Sequence, residues 1–371
     1  MDSWTLALVA SAVALVGVAA VVAVAVRANG RLTLRSLAVP AAVLALASVA
    51  ASLPVEGLAR SSRTFAVVHL AYLLFGIAVP AVAVAVLVAA AVRGATWPVW
   101  AVSAVLLLPA PVSWYATHIV PFRLGVERAE VQLPAERSGS DPIRVGVLAD
   151  LQTTRITSYE EEAVTKLLSL QPDVILLPGD LFQGSDAQFR AQLPAFRRLL
   201  GRLDAPGGVY AVRGDTDQGD KLDLLVEGTS IEILDYRVVD VEIGDRRVRI
   251  GGNALLWANP PAVKSRQELL AGSAGTVRIL LSHRPDVALL LPRDSGVDLT
   301  VAGHTHGGQV ALPLLGPVMT FSSVSRSVAR GGRHDVNGNE LFVSSGVGMA
   351  RLDAPQVRLG TRPAVGLVTL R

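Results

Sequence analysis

Five short apolar runs in this chain each end in a side chain able to ligate a divalent cation. Ile143–Leu148 leads to Asp150, Val174–Leu177 to Pro178-Gly179-Asp180, and Val209–Val212 to Gly214-Asp215. Arg278–Leu281 leads to Ser282-His283, and Leu299–Ala302 to Gly303-His304. Carboxylate oxygens and imidazole nitrogens are ordinary ligands of divalent metals. In open α/β sheets, ligands collect outside the carboxyl ends of the strands, so five such ends could converge. The glycines before Asp180 and Asp215 allow close backbone approach. His304-Thr305-His306-Gly307-Gly308 adds a second imidazole from the same tight loop. An acid at a strand end also serves as an N-cap, and a lone histidine there is commonly structural. Five ends alike, with His306 beside them, point to a site.

The elements that must position these residues alternate. Helical spacing over Glu160–Leu170, Ala187–Leu200 and Pro261–Ala271 separates the short apolar strands, and Arg246–Ile250 reads as one more strand. Short strands alternating with helices indicate stacked α/β layers. Residues 141–371 suit one such domain. Residues 122–140 read as a linker in which Val126–Leu133 alternates well enough to form an edge strand.

The rest of the chain is of another kind. Of 371 residues, 51% are hydrophobic and only 18% charged, and the apolar ones crowd the first third. Residues 1–121 carry six arginines and two acids; taking these from the total of 34 basic and 31 acidic residues leaves 28 and 29. The larger part is therefore close to neutral, which argues against a nucleic-acid partner. The absence of cysteine excludes disulfides, zinc–thiolate sites and thiol nucleophiles.

Trp4–Val26, Leu37–Leu53, Phe65–Val92 and Trp97–Val120 read as about four transmembrane helices, the second weakest because it is short and holds Pro40. Residues 1–121 would thus form a multi-pass membrane domain. Met1-Asp2-Ser3 has no positive side chain, so the first run reads as a span, not a secretion signal. Arginines divide evenly between the two sets of loops, with Arg60 among them. The dense first loop (Arg27, Arg31, Arg35) is assigned to the cytoplasm, and four spans then place the C-terminal domain outside it.

Gly303-His304-Thr305-His306-Gly307-Gly308-Gln309 resembles the signature of calcineurin-like metallophosphoesterases, in the branch with a GHTHGGQ loop and often a membrane anchor. Asp150-Leu151-Gln152, Gly179-Asp180-Leu181, Gly214-Asp215-Thr216-Asp217 and Ser282-His283 fall in the order of that family's other blocks, over about residues 126–371. The resemblance implies a four-layer α/β/β/α sandwich after the membrane helices. It implies two divalent metal ions, one held by Asp150, Gln152, Asp180 and His306, the other by Asp180, Asp215, His283 and His304. Asp180 would bridge. Such a pair acidifies water and holds phosphoryl oxygens for in-line displacement.

Three positions depart from the family pattern. Gln152 stands for a histidine ligand, Asp215 for an asparagine ligand, and Thr216 for the histidine placed over the phosphate, with Asp217 as the acid behind it. The ligand set gains oxygen and one negative charge, so Mn²⁺ is favoured, with Mg²⁺, Fe²⁺ or Zn²⁺ as the other candidates. Threonine cannot act as a general acid near neutral pH, so Asp180, Asp215, Thr216 and Asp217 would serve substrates with good leaving groups best. The expected substrate is a phosphate ester or pyrophosphate, lipid-linked because the site is tethered to a bilayer. The contrasting reading is a degenerate relative that binds metal without turnover. Smaller signals are Arg284, for a phosphate contact or a salt bridge, Gln309 as a brace, Arg330, Arg333 and His334, facing an anionic substrate or in a solvated loop, and Trp257, lining a pocket or in packing.

Overall fold

The structure is a computed structural model describing residues 3–28, 30–58, 63–255, 258–352 and 354–371. Arg60 and Trp257 lie outside the described residues. The chain divides into two compact units, Met1–Ile119 with Arg351–Gln356, and Val120–Ala350 with Val357–Arg371.

The first unit is helical: α1 (Ser3–Arg27), α2 (Ala38–Leu58), α3 (Arg63–Leu73), α4 (Val79–Arg93), α5 (Trp97–Leu107) and α6 (Pro109–His118). Pro80 cannot donate to the turn before it. That turn, Leu74–Ala78, opens into a π-helix that keeps α3 and α4 one rod. Val21 of α1, Val82, Val86 and Ala90 of α4 and Val99 of α5 close around Leu32. Thr5–Arg27, Phe65–Arg93 and Trp97–Phe122 are long and apolar enough to cross a membrane, at 23, 29 and 26 residues. The fourth apolar helix is shorter, Ala38–Ala51. His118 stacks on Trp114 and bonds that residue's carbonyl through Nδ1, a local contact.

In the second unit the strands are β1 (Gly125–Val131), β2 (Ile143–Val147), β3 (Val174–Leu177), β4 (Val209–Ala211), β5 (Ile231–Ile233), β6 (Val238–Ile243) and β7 (Arg246–Asn253). Then come β8 (Val277–Ser282), β9 (Leu299–Ala302), β10 (Ala311–Leu312), β11 (Gly316–Pro317), β12 (Gly332–Val336), β13 (Asn339–Val343) and β14 (Ala364–Leu370). One mixed sheet has the order β1-β14-β2-β3-β4-β5 and the other β12-β13-β9-β8-β7-β6. Successive strand residues face opposite ways. Val145, Val147 and Leu176 of the first sheet therefore pack on Ile250, Ile279, Leu281 and Val301 of the second. Ile175 and Leu177 turn outward onto α7 (Ser158–Leu168), α8 (Asp186–Leu200) and α9 (Lys221–Val226). Leu280 meets Leu269 of α10 (Pro260–Leu270) on the far side. Burial on both faces explains why these strands read as continuous apolar runs.

Helix α7 begins two residues before the stretch the spacing marks, because Thr157 caps it and Glu160 closes a capping box. Strand β1 lies within the segment read as a linker and pairs in parallel with β14 along its whole length. A chain beginning at Arg123 is thus expected to remain folded in solution, whereas one beginning at Ser140 uncovers the β14 edge. Sedimentation of the two purified proteins checks this; equal monodispersity would contradict it.

Candidate metal centre

Strands β2, β3 and β4 are parallel neighbours in one sheet, and β8 and β9 in the other. The three carboxylates leave the ends of the first trio and the two imidazoles leave the second pair. Asp150, Asp180 and His283 bring ligand atoms within 4.8 Å of one another, as do Asp215, His283 and His304. His283 is the side chain common to both groups. Gly179 and Gly214 make the approach possible. At φ 95°, Gly179 adopts a left-handed backbone where a β-carbon would stand 2.5 Å from the Gly214 nitrogen, and one on Gly214 would collide with Asp180 Oδ1. Asp150, Gln152, Asp180, His304 and His306 are themselves held at φ between 39° and 71°. Such strain is of order 1–3 kcal/mol per residue and gathers at functional sites.

Hydrogen bonds fix which atom each imidazole presents. His283 is wholly buried, and its Nδ1–H donates to the Pro178 carbonyl at 2.8 Å. Its Nε2 therefore faces Asp215 Oδ2 at 3.3 Å and Asp180 Oδ2 at 3.7 Å. The His304 Nε2–H donates to the Phe321 carbonyl at 3.0 Å, leaving Nδ1 2.8 Å from Asp215 Oδ2. A carbonyl behind each ring is the arrangement that orients metal-ligating histidines. Burial alone would lower the pKa of His283; Asp180, Asp215 and Asp150 raise it to about 10. Burial would likewise raise Asp215, but His283 and His304 hold its carboxyl well below the usual range. Burial pushes Asp150 up to about 7. Such concentrated negative charge, with both ring nitrogens aimed at it, fits divalent cations.

The remaining predicted residues are placed differently. Gln152 donates Nε2 to Asp180 Oδ2 at 3.1 Å rather than setting its oxygen beside that carboxylate. His306 belongs to neither ligand group among the described residues. Its ring is buried and its Nδ1 lacks a hydrogen-bond partner, and burial lowers its pKa well below the ordinary value. Thr216 donates its backbone N–H to Asp180 Oδ1 at 2.8 Å, while its buried hydroxyl has no partner among the described residues. Asp217 does not face the site as an acid behind residue 216. Its carboxylate accepts the backbone N–H groups of Asp180, Gly214 and Leu181 at 2.6, 3.0 and 3.2 Å, tying two ligand loops together. Arg284 forms a salt bridge to Asp215 Oδ1 at 2.6 Å. The carboxylate added at 215 thus comes with its own counter-ion. The net charge of the centre returns to that of two carboxylates, which removes the charge argument for a hard cation.

Two supporting residues carry no motif. Asp286 accepts from the Ser322 hydroxyl and the Ser323 N–H, both at 2.7 Å, and so fixes the Phe321 carbonyl behind His304. Arg358 is fully buried. It donates to the carbonyls of Ser345, Gly346, Gly348 and His306, and burial lowers its pKa to about 10. A buried polar chain in an Ala/Pro/Val-rich segment leaves no local signal. Gln309 braces the glycine loop, accepting the Ala350 N–H at 2.7 Å. Arg333 pairs with Glu340 across β12 and β13, and His334 bonds the Gly331 carbonyl.

The chain belongs to the calcineurin-like phosphoesterase family: the family model matches residues 143–308. Phosphodiesterase YaeI of Escherichia coli is 30% identical over 251 residues, 63% of this chain and 84% of that one. The uncharacterized metallophosphoesterase YkuE of Bacillus subtilis is 26% identical over 265 residues, 69% and 89% of the two chains. A dimetal phosphatase structure from Danio rerio aligns at a TM-score of 0.33 and 13% identity, over 56% of this chain and 88% of that one. At that similarity it bears on neither fold nor site.

Proposed function

We propose that this protein is a membrane-anchored, metal-dependent hydrolase of phosphate diesters or pyrophosphates, with a lipid-linked substrate. The observation that carries the reading is the meeting of Asp150, Asp180 and Asp215 from one sheet with His283 and His304 from the other. Asp150 and Asp180 would hold one divalent ion, and Asp180, Asp215, His283 through its one free nitrogen, and His304 the second, so that Asp180 would serve both. When bound, such ions polarise phosphoryl oxygens and acidify water. The chain's own part is to fix the ligands. Pro178 and Phe321 orient the imidazoles, Asp217 clamps the two carboxylate loops, and Thr216 orients Asp180. Three carboxylates with two imidazoles suit Mn²⁺ on ligand type. The relative named a phosphodiesterase supports a diester over a monoester.

Membrane anchoring rests on the apolar helices. With the loop of Arg27, Arg31 and Arg35 in the cytoplasm and four crossings, the metal unit stands on the extracytoplasmic side. The fourth crossing is assigned to α2, whose apolar part, Ala38–Ala51, is shorter than the other three spans and whose whole length is 21 residues.

Thr216 sets the leaving-group preference. No side chain that can donate a proton near neutral pH faces the site from position 216, and Asp217 is engaged elsewhere. Nitrophenyl diesters and nucleotide-type pyrophosphates are expected to turn over about 10²–10⁴-fold faster than alkyl monoesters. Steady-state rates on both classes with Mn²⁺, before and after chelation, test the activity and the preference together. Equal rates would show that another group supplies the proton. Absence of hydrolysis with any divalent ion would favour the non-enzymatic, metal-binding reading.

A further inference from the structure

From Gln309 to Ser325 the chain carries no charged residue. This stretch forms the β10–β11 hairpin and the loop after it. Leu312, Leu314, Leu315, Val318 and Phe321 are all exposed there, Leu314 completely so. Leu314 sits at the tip with φ 67°, a conformation costly for leucine. Single exposed apolar residues mean little, but a contiguous set of five on one projecting element marks an interaction surface.

Two observations identify what covers it. The first is register. Gly125 pairs with Ala364, and Gly366 pairs with Val147. Strand β1 therefore starts at the end of the sheet where β2 delivers Asp150. Only Arg123 and Leu124 separate Gly125 from the last apolar helix, Trp97–Phe122. The chain thus passes from that helix to the metal end of the sheet through two residues. The Phe321 carbonyl on His304 places the hairpin at the same end. The second is charge. Arg326 and Arg330, in and just after the short helix that packs on β11, are exposed, and no ion pair holds either among the described residues. An apolar tip with cations at its foot is the pattern of an element lying in a lipid interface, with its basic groups at the headgroups.

We propose that the 311–321 hairpin inserts into the bilayer surface beside the metal centre. The inference rests on the membrane-anchor reading given above, but not on turnover. Its leucines would enter the headgroup–acyl boundary, ~5–10 Å deep, placing the ligand loops at the height of lipid phosphates.

The chain has no cysteine, so a single Leu314→Cys change labels one site. Gln132→Cys, exposed just past the opposite end of β1, is the control. Each full-length variant, carrying an environment-sensitive fluorophore, is placed in nanodiscs of zwitterionic and anionic phospholipid with a lipid spin-labelled near the top of its acyl chain. Quenching at 314 several-fold above that at 132 is expected, as is its loss when Leu312 and Leu315 are both changed to aspartate. Equal, weak quenching at both positions in chains retained by the discs overturns the proposal. Failure of the chain to stay in the discs overturns the anchor reading and the hairpin proposal with it. Strong quenching at 314 in a chain that hydrolyses nothing refutes the proposed activity alone.

Discussion

Asp180→Asn is expected to lower kcat/KM for a nitrophenyl diester by about 10³-fold or more, roughly 4 kcal/mol of transition-state stabilisation. The substitution keeps the shape. An asparagine oxygen still accepts the Thr216 N–H, and asparagine tolerates the left-handed backbone at this position better than most residues. What it removes is one charge at the point between Gln152, His283 and Thr216, where both proposed ions would draw on it. His304→Ala should also abolish metal-dependent turnover, while leaving Asp180 and His283 in place. Steady-state rates with saturating Mn²⁺, and circular dichroism to show an unchanged fold, give the measurement. Undiminished turnover in either variant would rule out the two-ion arrangement.

Arg358→Met is expected to have the largest effect on stability. The guanidinium is wholly buried and serves carbonyls that the 345–348 loop turns inward. That loop also receives Glu127, whose carboxylate accepts the Ser345 N–H and is itself buried enough to have a raised pKa. Removing the cation leaves buried carbonyls without donors and takes a positive charge from Glu127 and Asp150. A loss of about 3 kcal/mol or more follows. For a unit of this size that is a fall in melting temperature of about 6–12 °C. Lysine should not rescue it, because one ammonium cannot reproduce the span of the guanidinium fork. Scanning calorimetry of the full chain reads the shift. A change below about 1 kcal/mol would mean that water or backbone rearrangement satisfies the loop.

Legibility in the sequence followed physical scale. Asp150, Asp180, Asp215, His283 and His304 were visible because each follows a short apolar run, and the parallel order of those runs brings their ends together. Arg333 and His334, which the sequence places in a solvated loop, lie in β12; the signal for its hairpin with β13 is Asn337-Gly338 at the turn, both residues at positive φ. The role of Asp217 was not readable. Whether a carboxylate faces a substrate or three backbone N–H groups depends on loops brought together from different strands. The Asp215–Arg284 pair was similarly hidden: the sequence shows an extra acid, and only the fold shows the arginine that neutralises it. Arg358 donates to carbonyls, and Asp286 accepts from Ser322 and Ser323, across loops distant in sequence, a kind of contact with no local pattern.

The central claim is that the ends of two sheets form one centre for two divalent ions. Equilibrium dialysis of the full-length protein against Mn²⁺, followed by elemental analysis, tests it most directly. Two ions per chain are predicted for the natural sequence, and one or fewer for Asp180→Asn and for His283→Ala, each with its fold intact. Two ions retained in both variants, or none bound by the natural chain, would contradict it.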